Sequence, residues 1–200
     1  MNGLWSFNRS VDGPKIVTEN LSWQGPFSWP MKGKVNTLPD IHGVYLLTFP
    51  YMDGYVLYCA GITNSTKRRF SQHTRAYKNG EYSVLCVESA IKGERQEIWH
   101  GWEYNRAHRD EFLLHKKNII KVVDIQLNSF QIFIVEIKDK RKRERLEAAL
   151  MFNIYVNKEP WAELADRGMS LRGRHNSEIP IVIKNNCPCK IRGVPGTLEI

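Results

Sequence analysis

An arginine and a histidine, Arg69 and His73, stand four residues apart in the segment KRRFSQHTRAY. Because residues four apart share one face of an α-helix, the segment predicts a helix that presents a guanidinium beside an imidazole. A planar guanidinium fits the oxygens of a phosphate better than a lysine ammonium does. Phe70 and Tyr77 fall on an adjoining apolar face, which would dock the helix on a sheet.

A single glutamate, Glu147, interrupts the apolar stripe of a second predicted helix, in RKRERLEAALMFNIYVN. At about 100° per residue it falls inside the edge of that stripe, between Leu150, Met151 and Ile154. Burying an isolated charge is expensive, so this carboxylate needs a cation or a donor beside it. One interpretation is a salt bridge to a neighbouring arginine. The other is a site for one divalent ion, since hard cations such as Mg²⁺ prefer carboxylate oxygens.

A hairpin and a later strand would hold these helices in place. Strand-like runs at 43–49 and 55–60 flank Asp53-Gly54, which favours a tight turn because glycine tolerates positive φ. Polar residues at 64–66 are candidate N-caps for the basic helix. The third strand is predicted at 130–137, a short apolar run rich in β-branched and aromatic residues, and the Glu147 helix at about 139–155.

The stretch from Ile41 to Asn157 resembles the GIY-YIG nuclease superfamily. The matching residues are Gly43-Val44-Tyr45 for the first motif, Cys59-Ala60-Gly61 with Thr63 for the second, and then Arg69, His73 and Glu147. Arg69 follows Gly61 by eight residues and His73 follows it by twelve. The sequence departs from the family at the second motif, where Cys59 stands in place of a tyrosine and Tyr58 is next to it.

The resemblance implies roles for these residues in hydrolysing a phosphodiester bond. Tyr45 would act as general base or orient the attacking water, and His73 would assist proton transfer or position the phosphate. Glu147 would hold one Mg²⁺ ion, with Mn²⁺ as a substitute. An asparagine after the glutamate's helix helps to shape the site in this family, and here the candidate is Asn157, with Asn153 as its competitor.

The position of the second tyrosine can be argued from strand pairing. If Asp53-Gly54 is a two-residue loop, Phe49 pairs with Tyr58 and Thr48 with Cys59. Directly paired residues project to the same side of a sheet, so Tyr58, and not Cys59, would share the face of Tyr45. Tyr58 would then replace the family's second tyrosine. A bulge or a three-residue loop would reverse this assignment.

The composition favours an acidic partner. Twenty-nine lysines and arginines against twenty-one acidic residues give a net charge of +8 over 200 residues, as expected for a protein that binds nucleic acid. The candidate phosphate-binding cations are Lys67, Arg68, Arg75, Arg172 and Arg174. No apolar run is long enough to span a bilayer, and the N-terminus has no signal-peptide pattern, so a cytoplasmic location is expected.

These observations predict an α+β fold with a small, about three-stranded antiparallel sheet flanked by helices. The predicted organisation is an N-terminal extension at 1–40, a GIY-YIG-like core at 41–157 and a C-terminal extension at 158–200. An insertion at about 80–129 carries a dense aromatic cluster, which we interpret mainly as packing and secondarily as a surface facing the substrate. The first forty residues read as loop-like, with aromatic residues that anchor them on the core.

The predicted function is metal-dependent cleavage of double-stranded DNA. Among GIY-YIG enzymes the single compact chain looks most like the type II restriction endonucleases, with a repair or mobile-element nuclease as the alternative. Cutting a palindromic site would require a homodimer or sequential nicking. Because Cys59 replaces a motif tyrosine, a non-catalytic nucleic-acid-binding module on the same scaffold is the competing hypothesis.

Overall fold

The computed structural model describes residues 16–31, 33 and 35–200. The strands are β1 (Val17–Ser22), β2 (Gln24–Ser28), β3 (Gly43–Tyr51), β4 (Gly54–Thr63), β5 (Val84–Leu85), β6 (Glu97–Trp99), β7 (Gln131–Glu136), β8 (Ile181–Asn186), β9 (Ile191–Arg192) and β10 (Thr197–Glu199). The helices are α1 (Thr66–Lys78), α2 (Val87–Ala90), α3 (Trp102–Ala107), α4 (Arg109–Ser129) and α5 (Lys140–Tyr155), with a short 3-10 helix at Pro160–Leu164. No helix in these ranges is long and apolar enough to cross a membrane.

The predicted α+β architecture is confirmed, and so is the hairpin with a third strand beside it. The main sheet has five strands, however, in the order β2-β7-β3-β4-β9, where about three were expected. The additional strands come from the two segments predicted as extensions: β2 pairs antiparallel with β7, and β9 pairs parallel with β4. Both added strands cover sheet edges that would otherwise expose unpaired backbone groups.

Two hydrophobic cores lie on opposite faces of the main sheet. On one face α1 packs through Phe70 and Tyr77, together with residues of α4. On the other face α5 packs through Leu146, Leu150 and Met151. A second sheet, in the order β1-β8-β10, contributes Leu21 and Ile183 to this second core. The helix that carries Glu147 is therefore held in the core that both sheets share.

The first forty residues are not loop-like where the structure describes them, because they supply β1 and β2. Trp23 and Trp29 are buried, as expected of aromatic anchors, and the indole N–H of Trp29 donates to the hydroxyl of Thr74 in α1 at 2.9 Å. Trp5 and Phe7, which carried the same prediction, lie outside the described residues. Trp29 thus links this segment to α1 through a hydrogen bond and through ring contacts with Phe70 and Tyr77.

Candidate active site

Helix α1 presents its reactive side chains inward because its cap and its apolar face are both well defined. Ser65 is the N-cap, and its side chain accepts a hydrogen bond from the backbone N–H of Arg68. Phe70 and Tyr77 are buried against the sheet, which turns His73, on the same side of the helix, into the protein. The predicted helix and its docking face are confirmed.

Tyr45 of β3 meets both predicted α1 residues. Its hydroxyl lies 2.7 Å from Nε2 of His73 and accepts a hydrogen bond from Nε of Arg69 at 3.3 Å. Tyr45 is only 1% exposed and His73 only 6%. The three side chains predicted from the motif spacing therefore form one connected group at the junction of sheet and helix.

The direction of the Tyr45–His73 hydrogen bond follows from counting donors. Arg69 Nε can only donate, so the tyrosine hydroxyl accepts there and has its own proton left to give. Giving that proton to His73 Nε2 leaves one buried polar atom without a partner, His73 Nδ1. The reverse bond would leave both Nδ1 and the tyrosine proton unpaired, at additional cost. His73 is thus a neutral acceptor, with its own hydrogen on Nδ1.

A glycine on the neighbouring strand makes room for this group. Gly61 of β4 pairs with Tyr45, and a Cβ at Gly61 would collide with the Tyr45 hydroxyl and ring. Any larger residue there would push the ring away from Arg69 and His73. Close packing against Tyr45 therefore explains why a glycine stands at this position of the second sequence motif.

The electrostatics of the group favour neutral side chains. Burial and, to a smaller extent, the nearby charge of Arg69 lower the pKa of His73 to about 3. Burial also raises the pKa of the Tyr45 hydroxyl well above its usual value, although Arg69 opposes that shift. In the unliganded protein the pair is therefore a neutral phenol bonded to a neutral imidazole.

The strand register differs from the predicted one. The loop is Met52-Asp53, flanked by the Tyr51–Gly54 pair, and Phe49 and Thr48 pair with Val56 and Leu57. The register then shifts by one residue between Leu47 and Thr48, and beyond the shift Leu47 pairs with Cys59. Sequence parity could not reveal this bulge, because the extra residue changes which side chains share a face.

The bulge brings Tyr58 and Cys59 to the same side of the sheet. Both belong to the core on the α1 face, whereas their neighbours Leu57 and Ala60 belong to the core on the α5 face. Tyr58 does share the face of Tyr45, as predicted, but Cys59 shares it too. The prediction that only one of them does so was wrong.

Tyr58 and Cys59 nevertheless have different surroundings. The Tyr58 hydroxyl is hydrogen-bonded to Tyr77, and burial followed by the charge of Asp166 raises its pKa. Cys59 lies where the charges of Glu147 and Arg69 both act on its thiol, and burial raises its pKa. Asp166 acts on both side chains, but the charges of Glu147 and Arg69 also act on the cysteine, which pairs with Leu47.

Glu147 reaches the group from the opposite side of the sheet. The backbone N–H of Ile62 donates to its carboxylate, and its charge acts on Tyr45, Cys59 and Arg69. Burial raises the pKa of Glu147 to about 7, while the Ile62 N–H and Arg69 oppose that shift. The alternative interpretation, a salt bridge from Glu147 to a neighbouring arginine, is not found among the described residues, whereas Glu144 of the same helix pairs with Arg141 at 3.4 Å.

Arg69 lies between two cavities of different character. One is an interior space of about 60 Å³, next to Tyr45, Cys59 and His73, with room for about two water molecules. The other is a basic cavity of about 170 Å³. We call it the basic cavity; its lining includes Ile62, Asn64, Arg68, Arg69, Lys140 and Arg143.

Arg143 of the basic cavity was missed by the sequence reasoning. It is 4% exposed, donates to the Asn64 side chain at 2.7 Å and to the Ile137 carbonyl at 3.0 Å, and its Nε has no partner among the described residues. Its place in the run KRKRER resembled a solvated charge cluster. Only its spacing, four residues before Glu147, could have indicated a position on the same face.

The predicted asparagine does not join the group. Asn157 lies beyond the end of α5, ten residues from Glu147 and so roughly 15 Å farther along the helix direction. Its side chain accepts from the backbone N–H of Glu159 at 2.9 Å, a local role at a chain turn. Asn153 donates to the Gly193 carbonyl at 3.3 Å. The closest match in chemistry is Asn64, which sequence reasoning considered only as an N-cap.

The predicted phosphate-binding residues of α1 divide between two surfaces. Arg68 lines the basic cavity together with Arg69. Lys67 and Arg75 are exposed and line a separate groove of about 530 Å³ on the outer side of α1. The three cations therefore flank the candidate site on two sides.

Arg172 and Arg174 are tied into ion pairs near α5. Arg172 pairs with Glu144 at 3.4 Å and its side chain remains 70% exposed, next to the first turns of α5. Arg174 pairs with Glu199 at 3.3 Å and donates to the Glu178 carbonyl. Arg172 can still extend the positive surface of the basic cavity, whereas Arg174 mainly holds the C-terminal strands.

A metal at this site would have few protein ligands. Among the described residues no group of three or more His, Cys, Asp or Glu side chains could hold an ion. Glu147 offers one partly buried carboxylate, which accepts from the backbone N–H of Ile62, a residue that lines the basic cavity. That donor set fits Mg²⁺, which usually keeps several waters and takes one or two carboxylates plus the oxygens of a phosphate.

No protein-family model, curated protein or solved structure matches this chain. Conclusions about function therefore depend on the side chains themselves. Tyr45, His73 and Arg69 are joined by hydrogen bonds, and the charge of Glu147 acts on two of them. This arrangement combines a hydrogen-bonded tyrosine–histidine pair, a fixed cation and a partly buried carboxylate.

Proposed function

We propose that the protein is a metal-dependent DNA endonuclease of the GIY-YIG type. The observation that carries the proposal is the position of Arg69. It bonds to Tyr45 in the interior, lines the basic cavity outside, and experiences the charge of Glu147. One side chain thus links the acid–base pair, the carboxylate and a space suited to a phosphate.

The scissile phosphate would occupy the basic cavity. Arg69 uses Nε to bond Tyr45, so its remaining N–H groups are donors that phosphate oxygens can accept from. Arg68 and Lys140 add positive charge to the same cavity. Fixed cations of this kind stabilise the additional negative charge that develops when water attacks a phosphodiester.

Tyr45 and His73 would take the proton of the attacking water. As the water adds to phosphorus, its proton passes to the Tyr45 oxygen and the tyrosine proton passes to Nε2 of His73. Arg69 donates to that oxygen throughout and stabilises any negative charge on it. The bond to the leaving oxygen of the sugar then breaks, and that oxygen takes up a proton from solvent.

Glu147 would hold the metal. A bound divalent ion would polarise the phosphate and lower the pKa of a coordinated water. Because the pKa of Glu147 is about 7 without a metal, a nearby divalent cation would shift the carboxyl towards its ionised form. Mn²⁺ also takes carboxylate ligands and should substitute for Mg²⁺.

Plasmid cleavage tests this function. Supercoiled DNA is incubated with Mg²⁺ and the wild-type protein, the Glu147→Ala variant, or Glu163→Ala as a control on an exposed glutamate outside the site. We expect cutting by the wild type and the control, and loss of cutting by at least about 100-fold in Glu147→Ala. Equal cutting by all three proteins would refute the assignment of Glu147.

A non-catalytic binding module is the second candidate. It is favoured by the 1% exposure of Tyr45, because so deeply buried a hydroxyl has little access to a substrate phosphate. Such a module would retard DNA in a gel with or without Glu147 and cut it in neither form. A higher affinity for RNA than for duplex DNA at matched salt concentration would instead indicate an RNA-binding protein.

Within the nuclease proposal, we favour a type II restriction activity on double-stranded DNA. Discrete fragments from a plasmid would support it, whereas nicking or smearing would favour a repair or mobile-element nuclease. A homodimer is one way to cut both strands of a palindrome, so the mass of the DNA complex in solution bears on the same question. A methyltransferase gene beside the coding sequence would also support a restriction enzyme.

A further inference from the structure

A groove of about 520 Å³ lies beside the candidate active site. We call it the aromatic groove; its walls are Asn79, Glu81, Tyr82, Trp102, Asn105, Arg106 and Arg109. Tyr82 and Trp102 also line the small interior cavity next to Arg69. The two aromatic rings therefore form the boundary between the candidate active site and the groove.

Trp102 is held with its ring partly in solvent. It is 39% exposed, its backbone N–H donates to the Glu81 carbonyl at 2.8 Å, and its side chain is hydrogen-bonded to the buried carboxylate of Asp166. Its ring centroid lies 5.3 Å from that of Tyr82. Fixing a large aromatic ring from two sides while leaving one part open creates a platform for another flat ring.

The backbone of Trp102 supports a functional reason for this arrangement. Its φ is +57°, a left-handed conformation that is uncommon for a bulky residue. Such conformations concentrate at ligand-binding positions, where the surrounding structure holds them in place. A glycine would adopt this φ more easily, so the chain keeps the indole here at a conformational cost.

The polar lining of the groove suits a nucleotide. Asn105 is 6% exposed, and its Oδ1 has no hydrogen-bond partner among the described residues. Arg106 is exposed, and Arg109 donates to the Asn79 carbonyl. An amide and the carboxylate of Glu81 can bond the edge of a base, while Arg106 can bond a phosphate.

We propose that the aromatic groove binds an unpaired nucleotide of the DNA substrate, with its base stacked on Trp102. The proposal rests on the nuclease function, because Tyr82 and Trp102 line both the groove and the small cavity beside Arg69. Inside a duplex both faces of a base are covered by its neighbours, so only a single-stranded, bulged or flipped base can stack here. The substrate would therefore carry, or acquire on binding, an unpaired nucleotide next to the cleaved bond.

Fluorescence binding tests the groove without requiring cleavage. The probes are a duplex with one unpaired 2-aminopurine and the matched duplex with that base paired, both titrated without divalent metal. Stacking on Trp102 should quench the unpaired probe and make the bulged DNA the tighter ligand. The variants are Trp102→Gly, which suits the backbone conformation, and Trp102→Phe, which keeps an aromatic face.

We expect Trp102→Gly to weaken binding of the bulged duplex by about 5-fold to 100-fold and to abolish the quenching. Trp102→Phe should retain most of the wild-type affinity for the bulged duplex and most of the quenching. Phe152→Ala is the matched control, because Phe152 is a 47% exposed aromatic residue on α5 that does not line the groove. A Trp102→Gly variant that keeps wild-type quenching and preference would overturn the proposal, and so would equal weakening towards both duplexes.

The same proteins separate this proposal from the nuclease function. If the wild type cuts DNA and Trp102→Gly cuts and binds equally well, the groove proposal fails and the nuclease function stands. If no protein cuts DNA but the unpaired base is quenched through Trp102, the nuclease function fails and the groove is supported. The cleavage and fluorescence measurements therefore test the two proposals independently.

Discussion

The two faces of the main sheet pack helices of similar length in different ways. Towards α5 the contacts are aliphatic, with Leu146 and Leu150 fully buried. Towards α1 the buried residues include Tyr45 and His73, which are hydrogen-bonded to each other between sheet and helix. In the part of the chain that the structure describes, unpaired buried polar atoms occur on both helices, at Nδ1 of His73 and at Nε of Arg143 and Arg145 in α5. What distinguishes the α1 face is therefore the buried tyrosine–histidine pair in its packing contact with the sheet.

The largest difference between the faces should appear in catalysis. Tyr45→Phe removes one oxygen from the α1 face, and we expect plasmid cleavage to fall by about 100-fold or more because the proton path is lost. Leu150→Ala on the α5 face should leave the cleavage rate of the folded protein nearly unchanged. It should instead lower the free energy of unfolding by about 3 kcal/mol, as measured by denaturant titration. Loss of cleavage in Leu150→Ala with wild-type stability would contradict the comparison.

The second prediction concerns the close approach between the strands. Gly61→Ala places a methyl group against the Tyr45 hydroxyl and should lower the free energy of unfolding by about 3 kcal/mol, since the neighbours cannot move apart easily. Gly196→Ala is the matched control, because a Cβ there meets nothing within 4 Å. Thermal unfolding of both variants measures the effect. Equal stability of the two would mean that Tyr45 does not lie where we describe it.

The third prediction is that the two faces respond to pH in opposite directions. Burial raises the pKa of Glu147 from 4.5 to about 7, so its contribution to stability is full below 4.5 and is lost as pH rises through about 7. Burial lowers the pKa of His73 from 6.5 to about 3, so its contribution is present above 6.5 and is lost as pH falls through about 3. Denaturant titration at several pH values, without metal, should show both trends.

Two variants test which residue causes each of these pH trends in stability. Glu147→Gln should be more stable than the wild type by about 2 kcal/mol at a pH above 7, and equal to it in acid. The stability of His73→Gln should no longer fall in acid through this residue, but it should still fall as pH rises through about 7 because Glu147 is retained. Mg²⁺ should raise the melting temperature of the wild type and not that of Glu147→Gln. A wild-type pH profile in Glu147→Gln would show that this carboxyl is not the buried acid.

The smallest predicted effect distinguishes the two residues at the bulge. Cys59→Ala changes a group that experiences the charges of Arg69 and Glu147, and we expect a change of a few-fold in cleavage rate. Tyr58→Phe removes a hydroxyl that bonds Tyr77, and it should lower stability by about 1 kcal/mol with little effect on rate. Rate loss in Tyr58→Phe alone would restore Tyr58 as the second catalytic tyrosine.

Local patterns predicted the elements that carry the site. The alternation of the hairpin, the cap before α1 and the apolar stripe of α5 each depend on neighbours in sequence, and each element was found close to its predicted bounds. Motif spacing also predicted that Tyr45, Arg69 and His73 lie together, and the structure joins them by hydrogen bonds. These features are accessible to sequence reasoning because they require only a helical or strand period.

Features that depend on distant parts of the chain were not predictable in this way. The bulge at Tyr58 leaves no signature in composition, and it overturned the register argument. Strands β2 and β9 are short and pair with segments far along the chain, so no local period marks them. Asp166, which is hydrogen-bonded to Trp102 across more than sixty residues of sequence, could be recognised only once the fold had brought the two together.

The parallel pairing of β1 with β8 joins Val17 to Ile181 and so spans most of the described chain. Closing so long a loop delays its contacts relative to the hairpin and the helices. The small sheet, which packs over α5, is thus among the last parts of the protein to assemble during folding. A polypeptide still emerging from the ribosome, with β8 not yet available, would expose one side of the helix that carries Glu147, and that side would be covered only once β8 had been made.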